Sequence, residues 1–163
     1  MGMMGASRKQ GFNAMDLRWM GQALGLADRA EQQGEVPVGA LVVRDGVLLG
    51  AGWNRNLELN DASAHAEILA MRAAGEAIGN HRLPGCTLYV TLEPCCMCAG
   101  AMIHARLARL VYGATDPKTG AAGSVFDVLS DLRHNHRVQV DGGCCAEQST
   151  AQLRAFFQSK RGN

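Results

Sequence analysis

Long apolar runs are missing from this sequence, and no stretch approaches the ~20 residues that a membrane-spanning helix requires. The first ten residues also lack the apolar segment of a secretion signal. They do not fit the myristoylation pattern either, because the sixth residue is Ala6 and the hydroxyl comes one place later, at Ser7. We therefore expect a cytoplasmic protein with no membrane partner.

A strong net charge is also absent. The chain has 16 Lys and Arg residues against 15 Asp and Glu residues, so its formal net charge of +1 gives no overall electrostatic argument for nucleic-acid binding. An RNA partner would need a local basic patch, and two candidates lie at 133–137 and at 160–161. An ordinary solvated surface accounts equally well for both segments.

No repeat, low-complexity tract or internal linker divides the chain. Its 163 residues suffice for one domain with a proper hydrophobic core, but not comfortably for two. We expect residues 1–13 to form a disordered or frayed tail and residues 14–163 to form a single domain.

Hydrophobic periodicity and turn signals predict alternating helices and strands. Apolar residues at three- and four-residue steps from Leu17 to Ala27 predict a first amphipathic helix. Asp45-Gly46 lies between two apolar runs and predicts a β-hairpin. Further elements are expected at about 64–79, 95–106 and 146–160 for helices and at about 87–91, 110–113 and 137–140 for strands. This order implies an α/β protein with three layers, α/β/α, around a mixed central sheet.

The six cysteines are clustered, at positions 86, 95, 96, 98, 144 and 145. Without a secretion signal, such clusters indicate metal binding or catalysis rather than disulfides. Cys95 and Cys98 follow Pro94 at the start of a predicted helix, where their three-residue spacing places both sulfur atoms on one face. The free N–H groups of a helix start favour thiolate, the form that binds metal.

His65 opens another predicted helix and completes a set of three candidate metal ligands with Cys95 and Cys98. One imidazole and two thiolates would hold a tetrahedral Zn²⁺ and leave one position for water, whose pKa then falls to roughly 7. Glu67 would reach this water without replacing a ligand, and would carry its proton to a leaving amine as the catalytic residue. These residues predict one Zn²⁺ per subunit and a hydrolytic deamination.

Two other metal arrangements stay open at this point. A structural Cys₃His zinc site would use Cys144 or Cys145 as its fourth ligand, but it would leave Glu67 without a role. Ligation through Cys96 and Cys98 is formally possible, although Cys96 points about 100° round the helix axis from the preceding cysteine.

These residues, together with several longer stretches, resemble a known family. His65-Ala66-Glu67 with Pro94-Cys95-x-x-Cys98 is similar to the signature of the cytidine-deaminase-like superfamily. The further matching stretches lie at 35–40, 52–55, 91–95, 98–104, 116–124 and 135–138. Over about residues 14 to 160 the chain resembles the bacterial tRNA-specific adenosine deaminases.

The resemblance implies a cytidine-deaminase-like fold and a zinc-dependent enzyme that converts adenosine to inosine at the wobble position of a tRNA, typically tRNA-Arg with the anticodon ACG. It also implies a homodimer in which both subunits contribute to the surface that binds the tRNA anticodon stem-loop. Asn54 would hydrogen-bond the flipped nucleoside, Val38 would wall the purine pocket, and Ala66 would lend a backbone N–H near the reacting carbon. Asp116 and Lys118 would contact the backbone and sugars of the anticodon loop.

The C-terminal helix carries two adjacent aromatic residues, Phe156 and Phe157. Neighbours on a helix lie about 100° apart, so both cannot face the core. The resemblance implies that this helix flanks the anticodon loop, with one ring in the core and the other available to stack on a base. Phe157 is the candidate for the base, although the sequence alone does not decide between the two residues. The chain departs from the family at Cys96 and at 144–145, where aliphatic residues are usual, and we expect the cysteines at both places to be buried.

Other interpretations remain at this point. Asn54 and Asp116 are also common turn residues, and Lys118 is equally compatible with a solvated position. A deaminase of a free small base or nucleoside, such as cytosine or guanine, would share every metal residue and differ only in the pocket. A structural-zinc RNA-binding module without turnover is the alternative from a different class of protein.

Overall fold

The structure, a computed structural model, describes residues 11–162, so residues 1–10 of the expected N-terminal tail and Asn163 lie outside this range. The elements are α1 (Ala14–Gln32), β1 (Gly39–Arg44), β2 (Val47–Trp53), α2 (Asn56–Leu59), α3 (Ala66–Ile78), β3 (Thr87–Leu92), α4 (Cys96–His104), β4 (Arg109–Ala114), β5 (Gln139–Gly142) and α5 (Ala146–Arg161). No helix within the described range is both long and apolar enough to cross a membrane.

The five strands form one mixed sheet in the order β2-β1-β3-β4-β5. β1 is antiparallel to both β2 and β3, whereas β3, β4 and β5 are mutually parallel. The predicted hairpin between β1 and β2 is confirmed: Asp45 and Gly46 both have positive φ, of 52° and 75°. Two-residue turns in which both residues have positive φ match the twist of the two strands, and they favour the sequence Asp-Gly.

Helices cover both faces of the sheet, which confirms the predicted three-layer α/β/α architecture. Successive residues of β1 point to opposite faces, as a strand requires. Val42 packs in the core beneath α3 and α4, together with Ala70 and Met102. Leu41 packs in a second core beneath α1, with Met20. α5 lies beside α1 on that second face and contacts β4.

β2 and α3 approach so closely that glycine is required on the strand. A Cβ atom at Gly52 would lie 2.6 Å from the Ala66 carbonyl oxygen and 2.7 Å from the Ala70 nitrogen. Gly50 faces the next turn of α3 in the same way. The backbone of the strand therefore fixes the position of the first turn of α3.

A partly buried ion pair connects α1 to the centre of the sheet. The carboxylate of Asp16 accepts hydrogen bonds from the Tyr89 hydroxyl at 2.8 Å and from Arg109 at 2.8 and 3.1 Å. Arg109 also pairs with Asp141 of β5, at 2.8 Å. Burial acts to raise the pKa of Asp16, but the hydrogen bonds from Arg109 and Tyr89 together bring it below its ordinary value.

Three details differ from the sequence-based predictions. The polar loop after Trp53 contains the short helix α2. The last strand begins at Gln139 rather than at Arg137, because its pairing with β4 starts opposite Arg109, the first residue of that strand. Cys144 is fully buried as predicted, but its neighbour is only partly buried: Cys145 has φ of 54° and forms the N-cap of α5.

Candidate metal and substrate site

The three predicted metal ligands lie together at the starts of two neighbouring helices. His65 is the residue before α3, Cys95 is the residue before α4, and Cys98 lies in the first turn of α4. The His65 Nδ1 atom is 3.6 Å from the Cys95 sulfur and 3.5 Å from the Cys98 sulfur. The ligand atoms of all three residues lie within 4.8 Å of one another.

This arrangement fits a zinc ion. Tetrahedral ligands at the usual Zn–S and Zn–N distances of about 2.3 and 2.0 Å are separated by about 3.5 Å, which matches the observed N···S distances. The Cys96 side chain is exposed to solvent, so the prediction that it is buried is wrong: the residue lies on the outer side of the first turn of α4. Cys144 packs with α1 on the opposite face of the sheet, so it does not supply a fourth ligand. Within the described range the cluster has three protein ligands and therefore leaves one position for water or substrate.

Hydrogen bonds among the three ligands shift the pKa values of their side chains. A hydrogen bond from the Cys98 thiol, helped by His65, lowers the pKa of Cys95 to about 4 in spite of its burial. The hydrogen bond with Cys95 in turn raises the pKa of His65. Cys95 is therefore a thiolate at neutral pH, and a metal ion that binds here displaces protons from the other two ligands.

Glu67 lies in the first turn of α3, beside the ligand cluster, and is only 4% exposed. Burial raises its pKa to about 7, against the opposing effect of the nearby His65. Within the described range, no Lys or Arg side chain forms a salt bridge with it. A carboxyl group with a pKa near neutrality can both accept and release a proton at the working pH.

Asn54 follows β2 and is oriented by the start of α3. Its Oδ1 atom accepts a hydrogen bond from the Ala66 backbone N–H at 2.9 Å, so this N–H already has a protein partner. The backbone N–H of Asn54 donates to the Val38 carbonyl at 3.1 Å. Both Asn54 and Val38 are buried, and Val38 belongs to the same core cluster as Cys98. A chain of hydrogen bonds thus links Val38 through Asn54 to Ala66, the residue that follows His65.

Asp116 shapes the loop that follows β4. Its carboxylate accepts hydrogen bonds from the backbone N–H groups of Lys118 and Thr119 and from the Thr119 hydroxyl, at 3.0, 3.2 and 2.9 Å. Asp116 therefore forms a turn, and its contact with the anticodon loop stays a prediction. The Lys118 side chain is exposed and makes no hydrogen bond or ion pair within the described range.

A cavity of about 610 Å³ separates this loop from α5. Phe157 lines the cavity and is 46% exposed, whereas Phe156 is 6% exposed and belongs to the core. The two rings therefore face different directions, as the helix geometry predicts. The basic residues that line the same cavity are Lys118, Arg154, Lys160 and Arg161.

The sequence analysis did not identify two buried glutamates that organise the loops around the site. Glu35 is 3% exposed and accepts hydrogen bonds from the backbone N–H groups of Leu57 and Glu58, both at 3.0 Å. Glu93 is 2% exposed and binds the loop that follows β4. Both lie in stretches that resemble the family. Their partners are more than twenty residues away in the chain, so no local pattern reveals the contacts.

The chain is similar to known deaminases over almost its whole length. It matches the family model of MafB19-like deaminases over residues 14–161. It is 50% identical over 147 residues to the tRNA-specific adenosine deaminase of Haemophilus influenzae, and the matched region covers 90% of this chain and 85% of that protein. It is 42% identical over 146 residues to the tRNA-specific adenosine deaminase of Bacillus subtilis, with 90% and 91% of the two chains covered.

Solved structures show the same relationship. A tRNA:A34 deaminase studied for A-to-I editing at the wobble position of transfer RNA superposes with a TM-score of 0.81 at 47% identity, over 83% of this chain and 99% of that chain. A guanine deaminase from Nitrosomonas europaea superposes with a TM-score of 0.76 at 28% identity, over 86% and 83% of the two chains. The sequence identity of this chain to the tRNA deaminases is much higher than its identity to the guanine deaminase. The chain therefore belongs to the family of tRNA-specific adenosine deaminases.

Proposed function

We propose that this protein converts adenosine to inosine by hydrolysis at the wobble position of a tRNA, with tRNA-Arg bearing the anticodon ACG as the expected substrate. One observation carries the proposal. The cluster of His65, Cys95 and Cys98 lies beside the buried carboxyl group of Glu67, in a chain 50% identical to a tRNA-specific adenosine deaminase.

His65, Cys95 and Cys98 would hold one zinc ion per subunit. Zinc, when bound there, supplies a Lewis acid that makes water a nucleophile at neutral pH. Two features favour zinc binding. Cys95 is a thiolate at neutral pH, and the starts of α3 and α4 bring their ligands together. The three-ligand set leaves space for the attacking water.

Glu67 is the proposed proton carrier of the reaction. Its carboxylate takes a proton from the attacking water and delivers it to the adenine ring nitrogen next to the reacting six-position carbon. It then takes the remaining proton of that water from the new hydroxyl group on the six-position carbon and gives it to the amino group, so that the C–N bond breaks, ammonia leaves and the carbonyl group of inosine forms. A pKa of about 7 suits both halves of this task, since the group must accept and release protons in turn.

Asn54 and Val38 would position the base. The Asn54 Nδ2 group donates to no protein acceptor within the described range, which leaves it available for an acceptor nitrogen of the purine. The Ala66 N–H acts here through Asn54, because it holds the Oδ1 atom of that side chain. Val38 would form an apolar wall of the pocket. Together these contacts select a planar base with a suitably placed acceptor.

The cavity beside α5 would receive the rest of the anticodon loop. Lys118, Arg154, Lys160 and Arg161 form a local basic surface, which suits phosphate groups although the whole chain is almost neutral. Phe157 offers an exposed ring for base stacking. The bases of an anticodon loop are already partly unstacked, so extrusion of the adenosine costs little. We also propose a homodimer that acts in the cytoplasm, where its tRNA substrate is used.

The substrate assignment is tested with the zinc-loaded protein. Transcribed tRNA-Arg (ACG) and the free compounds adenosine, cytidine and guanine are incubated separately, and products are identified by nucleoside analysis. We expect inosine at the wobble position of the tRNA alone. Turnover restricted to a free base would contradict the proposal and support a small-molecule deaminase.

The role of Glu67 is tested by Glu67→Ala. We expect zinc content to persist while inosine formation disappears, because the carboxyl group carries protons and does not bind the metal. Glu76→Ala, which removes an exposed glutamate near the other end of α3, serves as the matched control. A variant that keeps turnover would refute the assigned role, and a protein that binds zinc without any turnover in either form would support a structural-zinc module.

A further inference from the structure

Glu93 connects the metal-binding segment to the loop that follows β4. It lies directly after β3 and two residues before Cys95, and it is 2% exposed. Its carboxylate accepts hydrogen bonds from the backbone N–H groups of Asp116 at 3.0 Å, Ala122 at 2.9 Å and Ser124 at 3.1 Å. The Ser124 hydroxyl donates a fourth, short hydrogen bond.

All four donors belong to one loop, which we call the substrate loop (residues 115–124). The donors lie near its two ends, so a single carboxylate closes the loop upon itself. The next residue continues the attachment, since the Pro94 carbonyl accepts a hydrogen bond from the Ala121 N–H at 2.8 Å. The loop is thereby fixed to the segment that carries Cys95.

The buried charge of Glu93 has no cationic partner. No Lys or Arg side chain forms a salt bridge with it in the part of the chain that the structure describes. A buried carboxylate is costly unless it is fully hydrogen-bonded, so its presence requires this one loop conformation. Gly120 shows how tight the fit is: a Cβ atom there would lie 2.5 Å from the Glu93 carboxyl group and 2.5 Å from the Asp116 carbonyl oxygen.

We propose that Glu93 is a positioning residue for RNA binding, which holds the substrate loop so that Lys118 faces the cavity beside Phe157. This inference rests on the proposed function, because it assigns the loop to the tRNA. Glu93 touches neither the base nor the reacting atoms in this role. It acts on the affinity for the stem-loop, while Glu67 and the zinc ligands act on the chemical step.

The test compares Glu93→Gln with wild type in steady-state deamination of an anticodon stem-loop by the zinc-loaded protein. The Gln side chain places an amide NH₂ against N–H donors and loses the charge, so the loop loosens. We expect KM to rise by about tenfold to a hundredfold, as for the loss of hydrogen bonds to a charged group. The kcat value and zinc content should stay close to those of wild type. Glu76→Gln, which changes an exposed glutamate of α3 that does not line this cavity, is the matched control.

Two further variants keep the test decisive if Glu93→Gln folds poorly. Gly120→Ala crowds the carboxylate without changing it, and Ser124→Ala removes only the hydroxyl donor. Both should raise KM in the same way, with Ser124→Ala the weaker. Hydrogen exchange of the Asp116, Ala122 and Ser124 amides should accelerate in each variant while the exchange of the sheet amides is unchanged.

Two results would overturn the inference. In one, kcat and zinc content fall together at unchanged KM, which would place Glu93 in support of the metal. In the other, the melting temperature falls but KM and loop exchange do not change, which would leave only a structural role. Failure of the proposed function is recognised separately: wild type itself would form no inosine in RNA, and amide exchange with direct stem-loop binding would then decide the role of Glu93.

Discussion

Asp16 and Glu67 are both buried carboxyl groups in the first turn of a helix, but they lie on opposite faces of the sheet. Asp16 meets Arg109 and Tyr89, and these partners bring its pKa below the ordinary value. Glu67 has no cationic side chain bonded to it, and burial raises its pKa to about 7. The same chemical group is therefore a fixed charge on one face and a proton carrier on the other.

The difference separates the stabilising charges of this fold from the functional ones. A paired and hydrogen-bonded charge stabilises the native state and has no proton to exchange near neutral pH. A buried carboxyl group whose desolvation exceeds the stabilisation from its neighbours destabilises the native state when it is ionised, and it persists because the chemistry requires a group that titrates near 7. The comparison predicts that the two residues respond oppositely to substitution and to pH.

The largest expected effect is on catalysis at Glu67. Glu67→Gln keeps the shape of the side chain but cannot carry a proton, so single-turnover inosine formation should fall by about 10²- to 10⁴-fold. Asp16→Asn should leave this rate close to that of wild type at a temperature where both proteins are folded. Single-turnover kinetics on a tRNA stem-loop measure both values, and an equal loss in the two variants would remove the distinction.

The next effect is on the stability of the zinc-free protein. Because the folded-state pKa of Glu67 lies above its ordinary value of 4.5, the native state loses stability as pH rises from 4.5 to about 7. Glu67→Gln removes this loss, so the variant should be more stable than wild type by about 3 kcal/mol at neutral pH. Urea unfolding of chelator-treated protein measures the difference, which should vanish near pH 4. A difference that does not depend on pH would contradict the assigned pKa.

Asp16→Asn should have the opposite sign. Its folded-state pKa lies below the ordinary 3.8, so its stabilising contribution is present above this pH and is lost as the pH falls through the folded-state value. The side chain of Arg109 is 24% exposed, which screens the pair, and we expect a loss of about 2 kcal/mol at neutral pH. Urea midpoints should converge for wild type and variant in acid. Convergence at high pH instead would reverse the argument.

The smallest effect distinguishes the two aromatic residues of α5. Phe157→Ala should weaken stem-loop binding by about 1 kcal/mol, as expected for the loss of one stacking platform, with little change in melting temperature. Phe156→Ala removes a core side chain and should lower the stability instead. Fluorescence anisotropy with a labelled stem-loop, combined with thermal unfolding, separates the two effects. If the two variants changed the stem-loop affinity equally and the melting temperature equally, the two rings would have no separate roles.

Local patterns in the sequence account for the parts of the molecule that depend on short spacings. The hairpin at Asp45-Gly46 follows from backbone conformation, and the cluster of His65, Cys95 and Cys98 follows from two helix starts. The orientation of Phe156 and Phe157 could be narrowed to one core residue and one exposed residue, but the choice between them required the packing of α5 against the sheet.

The parts that the sequence did not reveal depend on partners distant in the chain. Glu93 contacts donors 23 to 31 residues further on, and the spacing between them has no period that could be recognised. The backbone N–H of Ala66 binds the side chain of Asn54, which lies twelve residues earlier in the chain, and no local pattern reveals this contact. The carboxylate of Asp116 is engaged within its own turn, in line with one of the two interpretations of its sequence context. The contacts of both residues with the substrate remain predictions.

The contact of Gly52 with the first turns of α3 has a consequence for attempts to change the substrate of this enzyme. Because there is no room for a Cβ atom at Gly52, the close contact of the strand with α3 fixes the distance of His65 and Glu67 from the sheet. Libraries for directed evolution should therefore keep positions 50 and 52 constant and place their diversity in the substrate loop and on the exposed face of α5. New specificities could then be selected there without displacing the residues that perform the reaction.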